Sequence, residues 1–334
     1  MKICLLGETR GNMDEGMRNI SYLIARHLEV KHELLFLDLR DILSIGFWRE
    51  IRAFKPDIIH YLHGPTIKSF VITKILAIYS GCSKTIMSAM RPIILRPFAW
   101  LMLLFKPNII LTQSSESESL FQQYEIKTKF FPSGVDVNRF APVSGCEKKQ
   151  LRKKYNLDED DFYILHVGSI KKGRNITFLQ QFQGNANNII IIGAGNSVDP
   201  QIYDSFSKSG CTVILKYIEN IQEIYNLSDC YIYPTVASYD LLGRATADSI
   251  EMPLTVLEAM ACNLPVITTR FGALPRIFES GDGLYFIQTS EEVNDAITRI
   301  KSGAVSKTRE KVIAVSHENI MAQLEDIYEQ IYHA

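Results

Sequence analysis

Tyr231-Ile-Tyr-Pro-Thr235 and, after a polar loop, Glu251-Met-Pro-Leu-Thr-Val-Leu-Glu-Ala-Met-Ala-Cys-Asn-Leu-Pro-Val-Ile-Thr-Thr269 make up the stretch from which the fold is read. It gives a short apolar strand, a loop, a helix opening at Pro253, and a second strand after Leu264-Pro265. Proline suits a first helical turn, where its missing N–H would have had no partner in any case. Two strands joined through a helix pair in parallel, by a right-handed crossover.

The same alternation runs in both directions from there. Ahead of it, Lys2–Leu6, Glu33–Leu39, Ile58–Leu62, Lys84–Ser88 and Asn108–Thr112 read as strands, and Met17–Leu28 has the apolar spacing of a helix. A second series comprises Tyr163–Val167, Ile189–Ile192, Thr212–Leu215, Cys230–Tyr233, Val266–Thr268 and Gly283–Phe286, and Ser316–Tyr332 closes the chain as an amphipathic helix. Between the series the chain turns charged from Cys146 to Asp161. The expectation is α/β: a doubly wound, Rossmann-like domain over 1–145, another over 146–315, and a terminal helix over 316–334 able to return to the first. Ligands of such folds bind at the carboxyl edges of the sheets, here across a cleft between the domains.

Composition narrows the chemistry. A formal net charge of −1 sets up no field for nucleic acid. The six cysteines stand singly, without metal or redox spacing, and read as buried thiols of a reducing compartment. The first residues run directly into a strand, and no apolar run reaches the roughly eighteen residues of a spanning helix. The expected location is the cytoplasm. Ile93–Lys106 is unusually apolar with basic edges, and two readings stand for it: a buried crossover helix, or a helix lying in a membrane interface.

The start of the helix at Leu254 and Thr255 offers unpaired N–H groups and a dipole that favour a diphosphate. Glu258, one turn further on, can accept two hydrogen bonds from a ribose diol; its spacing fits an ion-paired glutamate on an ordinary helix equally well. Lys171, Lys172 and Arg174 follow a strand end and form a natural cation set for a leaving diphosphate, with a solvated basic loop as the alternative. Gly7-Glu-Thr-Arg-Gly-Asn-Met-Asp-Glu-Gly16 lacks the spacing of a nicotinamide fingerprint. His63 ends a strand and could face the cleft as a catalytic residue, with a structural histidine as the equal alternative; His60 reads as structural. No Asp-x-Asp metal motif is present, so neither metal nor cofactor is expected.

At these residues the chain resembles the retaining glycosyltransferases of family four, which have the two-domain GT-B fold. Pro56-Asp-Ile-Ile-His60, Phe131-Pro-Ser-Gly-Val-Asp-Val-Asn-Arg-Phe-Ala-Pro142, His166-Val-Gly-Ser-Ile-Lys-Lys-Gly173, Ile191-Ile-Gly-Ala-Gly195, Phe271-Gly-Ala-Leu-Pro275 and Gly281-Asp-Gly-Leu284 are similar to that family's segments, in its order. The resemblance implies a nucleotide-sugar donor on the second domain, held by Gly168, Lys172, Arg174, Leu254, Thr255 and Glu258, with Gly16 approaching from the first. It implies a glycan, lipid-linked glycan or small-molecule acceptor on the first domain.

This sequence departs from the pattern at one place above all. The family's sugar-facing glutamate stands eight residues before the ribose-holding one, and that position here is Ile250, with Glu251 one place late. Glu251 is expected as a stand-in after a one-residue loop shift, with Asp240, Arg244 and Asp248 of the intervening loop as alternatives. Ser169 stands where the family has an arginine, which leaves that guanidinium to Arg174; Met90-Arg-Pro92 stands where it has a histidine. Two rivals remain open: a nucleotide-sugar epimerase of the same fold, and a non-catalytic partner subunit.

Overall fold

The computed structural model describes all residues except 9, 11–15, 92–103, 185, 194–197, 239–246 and 248. The first sheet is built from β1 (Lys2–Gly7), β2 (Glu33–Asp38), β3 (Ile58–Gly64), β4 (Lys84–Ala89), β5 (Ile109–Thr112) and β6 (Thr128–Phe130), in the order β2-β1-β3-β4-β5-β6. The second takes β7 (Phe162–Val167), β8 (Asn187–Ile192), β9 (Thr212–Ile214), β10 (Cys230–Tyr233), β11 (Val266–Thr268) and β12 (Leu284–Phe286), in the order β12-β11-β10-β7-β8-β9. Every pairing is parallel. These are the two doubly wound domains that the alternation predicts. β6 escapes a reading for strands because its Thr-Lys-Phe sequence alternates over too few residues.

The strands are apolar on both faces because helices cover both. Ile3 and Leu5 point into one core while Cys4 and Leu6 point into another, and Ile189 and Ile191 oppose Ile190 and Ile192 in the same way. The core holding Ile3, Leu5, Leu165 and Tyr231 is continuous through both domains. Of the cysteines, only Cys146 is exposed. Among the described residues no helix is long and apolar enough to cross a membrane.

The charged stretch after Cys146 forms the helix Gly145–Lys154, started by a capping box of Ser144 and Glu147. Its anchor is a buried arginine rather than an apolar side chain. Arg152 donates to the carbonyls of Leu227, Glu159 and Asp161 and to Asp229 Oδ2, which also accepts from the Tyr163 N–H.

The terminal helix His317–His333 returns to the first sheet. Its entry is held by backbone bonds from Val135 N to Val315 O and from His317 N to Val135 O. At Gly134 a Cβ would stand 3.1 Å from the Cα of His317, so this crossing requires glycine. Tyr328 Oη lies 2.6 Å from His60 Nδ1, and Ser88 Oγ lies 2.8 Å from His60 Nε2. Burial pushes this imidazole down to about 3, so it stays neutral and structural. Tyr328→Phe should therefore lower stability by about 1–3 kcal/mol, the cost of an unpaired buried ring nitrogen. Urea unfolding of the two proteins checks this, and equal midpoints would refute the anchoring role.

Candidate functional site

The carboxyl edge of the second sheet gathers the residues expected to hold a donor. β7 ends in Gly168, whose N–H donates to Ile192 O, and the chain turns through Lys171, Lys172, Gly173 and Arg174. Lys172 is exposed and Arg174 half-buried. The loop is tied to the segment after β10: Asn175 Nδ2 donates to Pro234 O, Thr235 Oγ1 to Arg174 O, and Arg174 Nη1 to Ser249 Oγ at 3.1 Å. Ser249 Oγ is also 2.8 Å from Tyr233 Oη.

His166 lies beneath this loop, stacked against Tyr231 and Tyr233. Its Nδ1 is 2.9 Å from Ile232 O, and a carbonyl can only accept, so Nδ1 carries the proton and Nε2 the lone pair. Burial holds the ring down to about 4, with the positive charge of Arg174 adding to the effect. A Cβ on Gly168 would come within 3.2 Å of His166 Nε2. The strand motif around His166 was legible in the sequence; its place under the cation loop depends on stacking partners that lie 65 and 67 residues further on.

Pro253 caps the helix Leu254–Ala261 in extended geometry, and among the described residues no side-chain hydrogen bond caps its first turn. Thr255 Oγ1 accepts from Tyr231 Oη at 2.7 Å. Glu258 is half-buried, and its Oε2 accepts from Tyr225 Oη at 2.7 Å. Burial raises its pKa, while the Tyr225 bond and the charge of Arg139 oppose the rise. The partner of this glutamate is thus a tyrosine hydroxyl, not a cation. Tyr225 belongs to the helix Ile221–Leu227, and nothing in the local sequence announces the contact.

Across from this helix lies the first domain. A Cβ added to Gly16, at the start of the helix Gly16–Leu28, would stand 3.3 Å from Ile250 Cδ1 and 3.7 Å from Leu254 Cδ1. Gly16 and Leu254 are thereby brought together, with Ile250 sealing the contact. His63, at the end of β3, has Nε2 2.8 Å from Ser21 Oγ, whose own proton goes to Met17 O. Nε2 is therefore the donor and Nδ1 the lone-pair nitrogen. Burial lowers the His63 pKa; Glu8 opposes this, and Arg91 and Arg18 reinforce it. Glu8 and Arg18 form an ion pair at 3.3 Å. These partners were not singled out from the sequence, because they meet His63 only once β1 and β3 pair.

Glu251 is engaged by the first domain. Ile250 faces Gly16, and the next side chain leaves the backbone in another direction. Glu251 Oε1 accepts from Ser114 Oγ at 2.6 Å and from Ser117 Oγ at 2.7 Å, both on the first domain. Its N–H donates to Met90 O and its carbonyl accepts from Ala273 N, each at 2.8 Å. Gly272, at φ +55°, passes so close that a Cβ there would overlap Glu251 O. Of the two residues expected to be catalytic, His63 lies near the end of β3, whereas Glu251 reaches serines that follow β5, and β4 stands between those strands. Asp240, Arg244 and Asp248 lie outside the described residues, as does Gly195. No cluster of three or more His, Cys, Asp or Glu side chains able to hold a metal occurs among the described residues.

Residues 161–302 match the family model described as "Glycosyl transferases group 1". The N-acetyl-alpha-D-glucosaminyl L-malate synthase of Bacillus anthracis is 24% identical over 195 residues, covering 54% of this chain and 48% of that protein. The chain spans about half the length of the curated relatives it matches. In fold it is similar to Anabaena HepE, solved in complex with UDP and glucose, at a TM-score of 0.74 and 15% identity over 99% of this chain and 100% of that one. Sucrose-phosphate synthase from Thermosynechococcus elongatus gives a TM-score of 0.74 at 16% identity, covering 99% of each chain. The fold is GT-B, and residues 161–302 are similar to the glycosyl transferases of group 1.

The Glu251 carboxyl yields a pH prediction. Burial pushes it up to about 7, against the two serine bonds, and its Oε2 has no hydrogen-bond partner among the described residues. The folded state therefore keeps a proton that the unfolded chain releases near its ordinary value of 4.5. Stability should fall as pH rises between those two values, by up to about 3 kcal/mol in total, and then level off. Glu251→Gln carries no titrating proton and should lose this slope. Urea midpoints at acid and at mildly alkaline pH provide the measurement; equal slopes in both proteins would contradict it.

Proposed function

We propose that the protein transfers a sugar, with retention of configuration, from a nucleotide-sugar donor to a hydroxyl of a glycan, lipid-linked glycan or small-molecule acceptor. The observation that carries this reading is the placement of Glu258, the uncapped helix start at Leu254 and Thr255, and the Lys172–Arg174 loop along one sheet edge. The binding of UDP and of UDP-glucose by Anabaena HepE, a protein of similar fold, supports a nucleotide-sugar donor.

In this reading Glu258 Oε1 accepts the ribose hydroxyls while Tyr225 holds Oε2. Lys172, Arg174 and the N–H groups at the helix start stabilise the diphosphate as the bond from the anomeric carbon to its phosphate oxygen breaks. The acceptor oxygen bonds to the same carbon on the same face, and its proton passes to the departing phosphate oxygen. Gly16 lets the first domain come close to Ile250 and Leu254 beside the donor, and His63, neutral with its lone pair on Nδ1, orients the acceptor hydroxyl. Glu251 serves to hold the two domains together.

One observation favours a second reading, a non-catalytic GT-B subunit: the position of the family's sugar-facing carboxylate is apolar and sealed against Gly16. Release of nucleoside diphosphate from a panel of nucleotide sugars, with and without acceptor sugars, separates the two.

Two outcomes are expected of the donor site. Lys172→Ala and Arg174→Ala should each weaken nucleoside diphosphate binding by about 1.5–3 kcal/mol, the scale of charge-assisted hydrogen bonds. Glu258→Gln should lower kcat/KM by about 2–4 kcal/mol, thirtyfold to several hundredfold, while leaving the fold intact. Calorimetry and steady-state kinetics measure these effects. Undiminished binding in both cation variants, or full activity in Glu258→Gln, would refute the site.

A further inference from the structure

The first domain carries apolar surface that its core does not use. The helix Ile45–Phe54 buries only Phe47 and Ile51, and Ile67–Ser80 buries Phe70, Leu76 and Ala77 among its apolar residues. Outside the core, Leu43 is 95% exposed, Ile45 73% and Ile78 72%, with Ile75 and Tyr79 exposed beside them. This surface is continuous, because the two helices lie side by side. The Trp48 ring meets Tyr79 edge-on at 5.3 Å between centroids, and the Arg52 guanidinium lies 5.3 Å over the same tyrosine. At the other end of the seam Ile42, Leu43, Trp48, Lys68, Val71 and Ile72 line an open groove of about 590 Å³.

The charges on this face have one dominant sign. Ile67–Ser80 carries Lys68 and Lys74 and no acid, and Ile45–Phe54 carries Arg49 and Arg52 against Glu50 alone. A solvent-facing crossover helix ordinarily mixes polar side chains of both signs, whereas exposed isoleucines and leucines rimmed by lysine and arginine match the boundary between lipid headgroups and acyl chains. The long basic side chains can hold their charges at phosphate level while their stems lie among the isoleucines. The groove also has a direction. β3 ends at Gly64 and the helix begins at Ile67, so its Lys68 end opens at the sheet edge that bears His63.

The geometry points to a docking face for an anionic lipid bilayer, formed by Leu43, Ile45 and the outer sides of the two helices. The apolar side chains enter the headgroup boundary, Arg49, Arg52, Lys68 and Lys74 meet lipid phosphates, and the groove takes hydrocarbon. Docked in this way, the first domain holds the acceptor side of the cleft against the membrane. The docking rests on this surface alone and stands apart from the sugar-transfer reading, so its test reads binding rather than turnover.

The test is flotation of the full chain with vesicles of phosphatidylcholine, alone or mixed with phosphatidylglycerol. Binding is expected to the mixed vesicles, weak or none to the neutral ones, and weakened by salt. Lys68→Ala with Lys74→Ala should lower partitioning by about twenty-fivefold, roughly fivefold for each cation. Leu43→Ser with Ile75→Ser and Ile78→Ser should abolish it while the melting temperature stays unchanged. Failure of the wild-type chain to float with mixed vesicles would overturn the proposal. An early-melting triple variant would overturn it too, because the face would then be covered within the chain, for instance by residues 93–106. A wild-type dimer that the triple substitution converts to a monomer would assign the face to a second copy instead.

Discussion

The cleft depends on how residue 251 joins the two domains. Its N–H, its carbonyl and its carboxyl are all engaged: by Met90 after β4, by Ala273, and by Ser114 and Ser117 at the start of the helix Ser115–Gln123. Arg276 reinforces the joint from the second domain, pairing with Glu118 and lying 3.8 Å over the Phe130 ring. A carboxyl in this place is costly, since burial raises its pKa more than two serines can lower it. What the joint secures is the neighbouring contact: with 251 fixed, Ile250 and Leu254 are held against Gly16, and the two sheet edges face each other over that point.

The fold was legible because its signals are local and repeated. Strands apolar on both faces, separated by helical stretches, leave parallel doubly wound sheets as the arrangement that covers them. Pro253, Glu258 and the basic residues after β7 lie within short segments whose element types fix their edge of the sheet. The sequence could not show the contacts that only pairing creates. Glu251 meets serines 137 and 134 residues away, and His60 meets a tyrosine 268 residues away. Arg152 looks like one more charge in a basic run until the carbonyls around it are in place.

The same distinction separates the two groups of candidate residues. Those of the second domain come from successive segments of one domain, so each residue's position follows from its own strand or helix. The residues around His63 meet at strand ends. Glu8 follows β1, His63 ends β3, Arg91 follows β4, and Arg18 and Ser21 come from the helix Gly16–Leu28. None of these has a motif of its own. Only His63 stood out, because histidine at a strand end is conspicuous by type.

The offset of one residue between Ile250 and Glu251 looks minor in sequence and is decisive in three dimensions. Neighbouring side chains on a segment that is not helical leave the backbone on different sides, so a glutamate one place late is not a glutamate slightly displaced. Recovering it for the cleft would require rotating the segment, and three observed contacts oppose that. Gly272 packs onto the 251 carbonyl too closely for any side chain, Ala273 bonds that carbonyl, and the 251 N–H bonds Met90. Rotation would also withdraw Ile250 from Gly16 and expose it. The segment from 250 to 258 therefore carries two carboxylates with separate partners: Glu258 meets Tyr225 within the second domain, and Glu251 holds the two domains together.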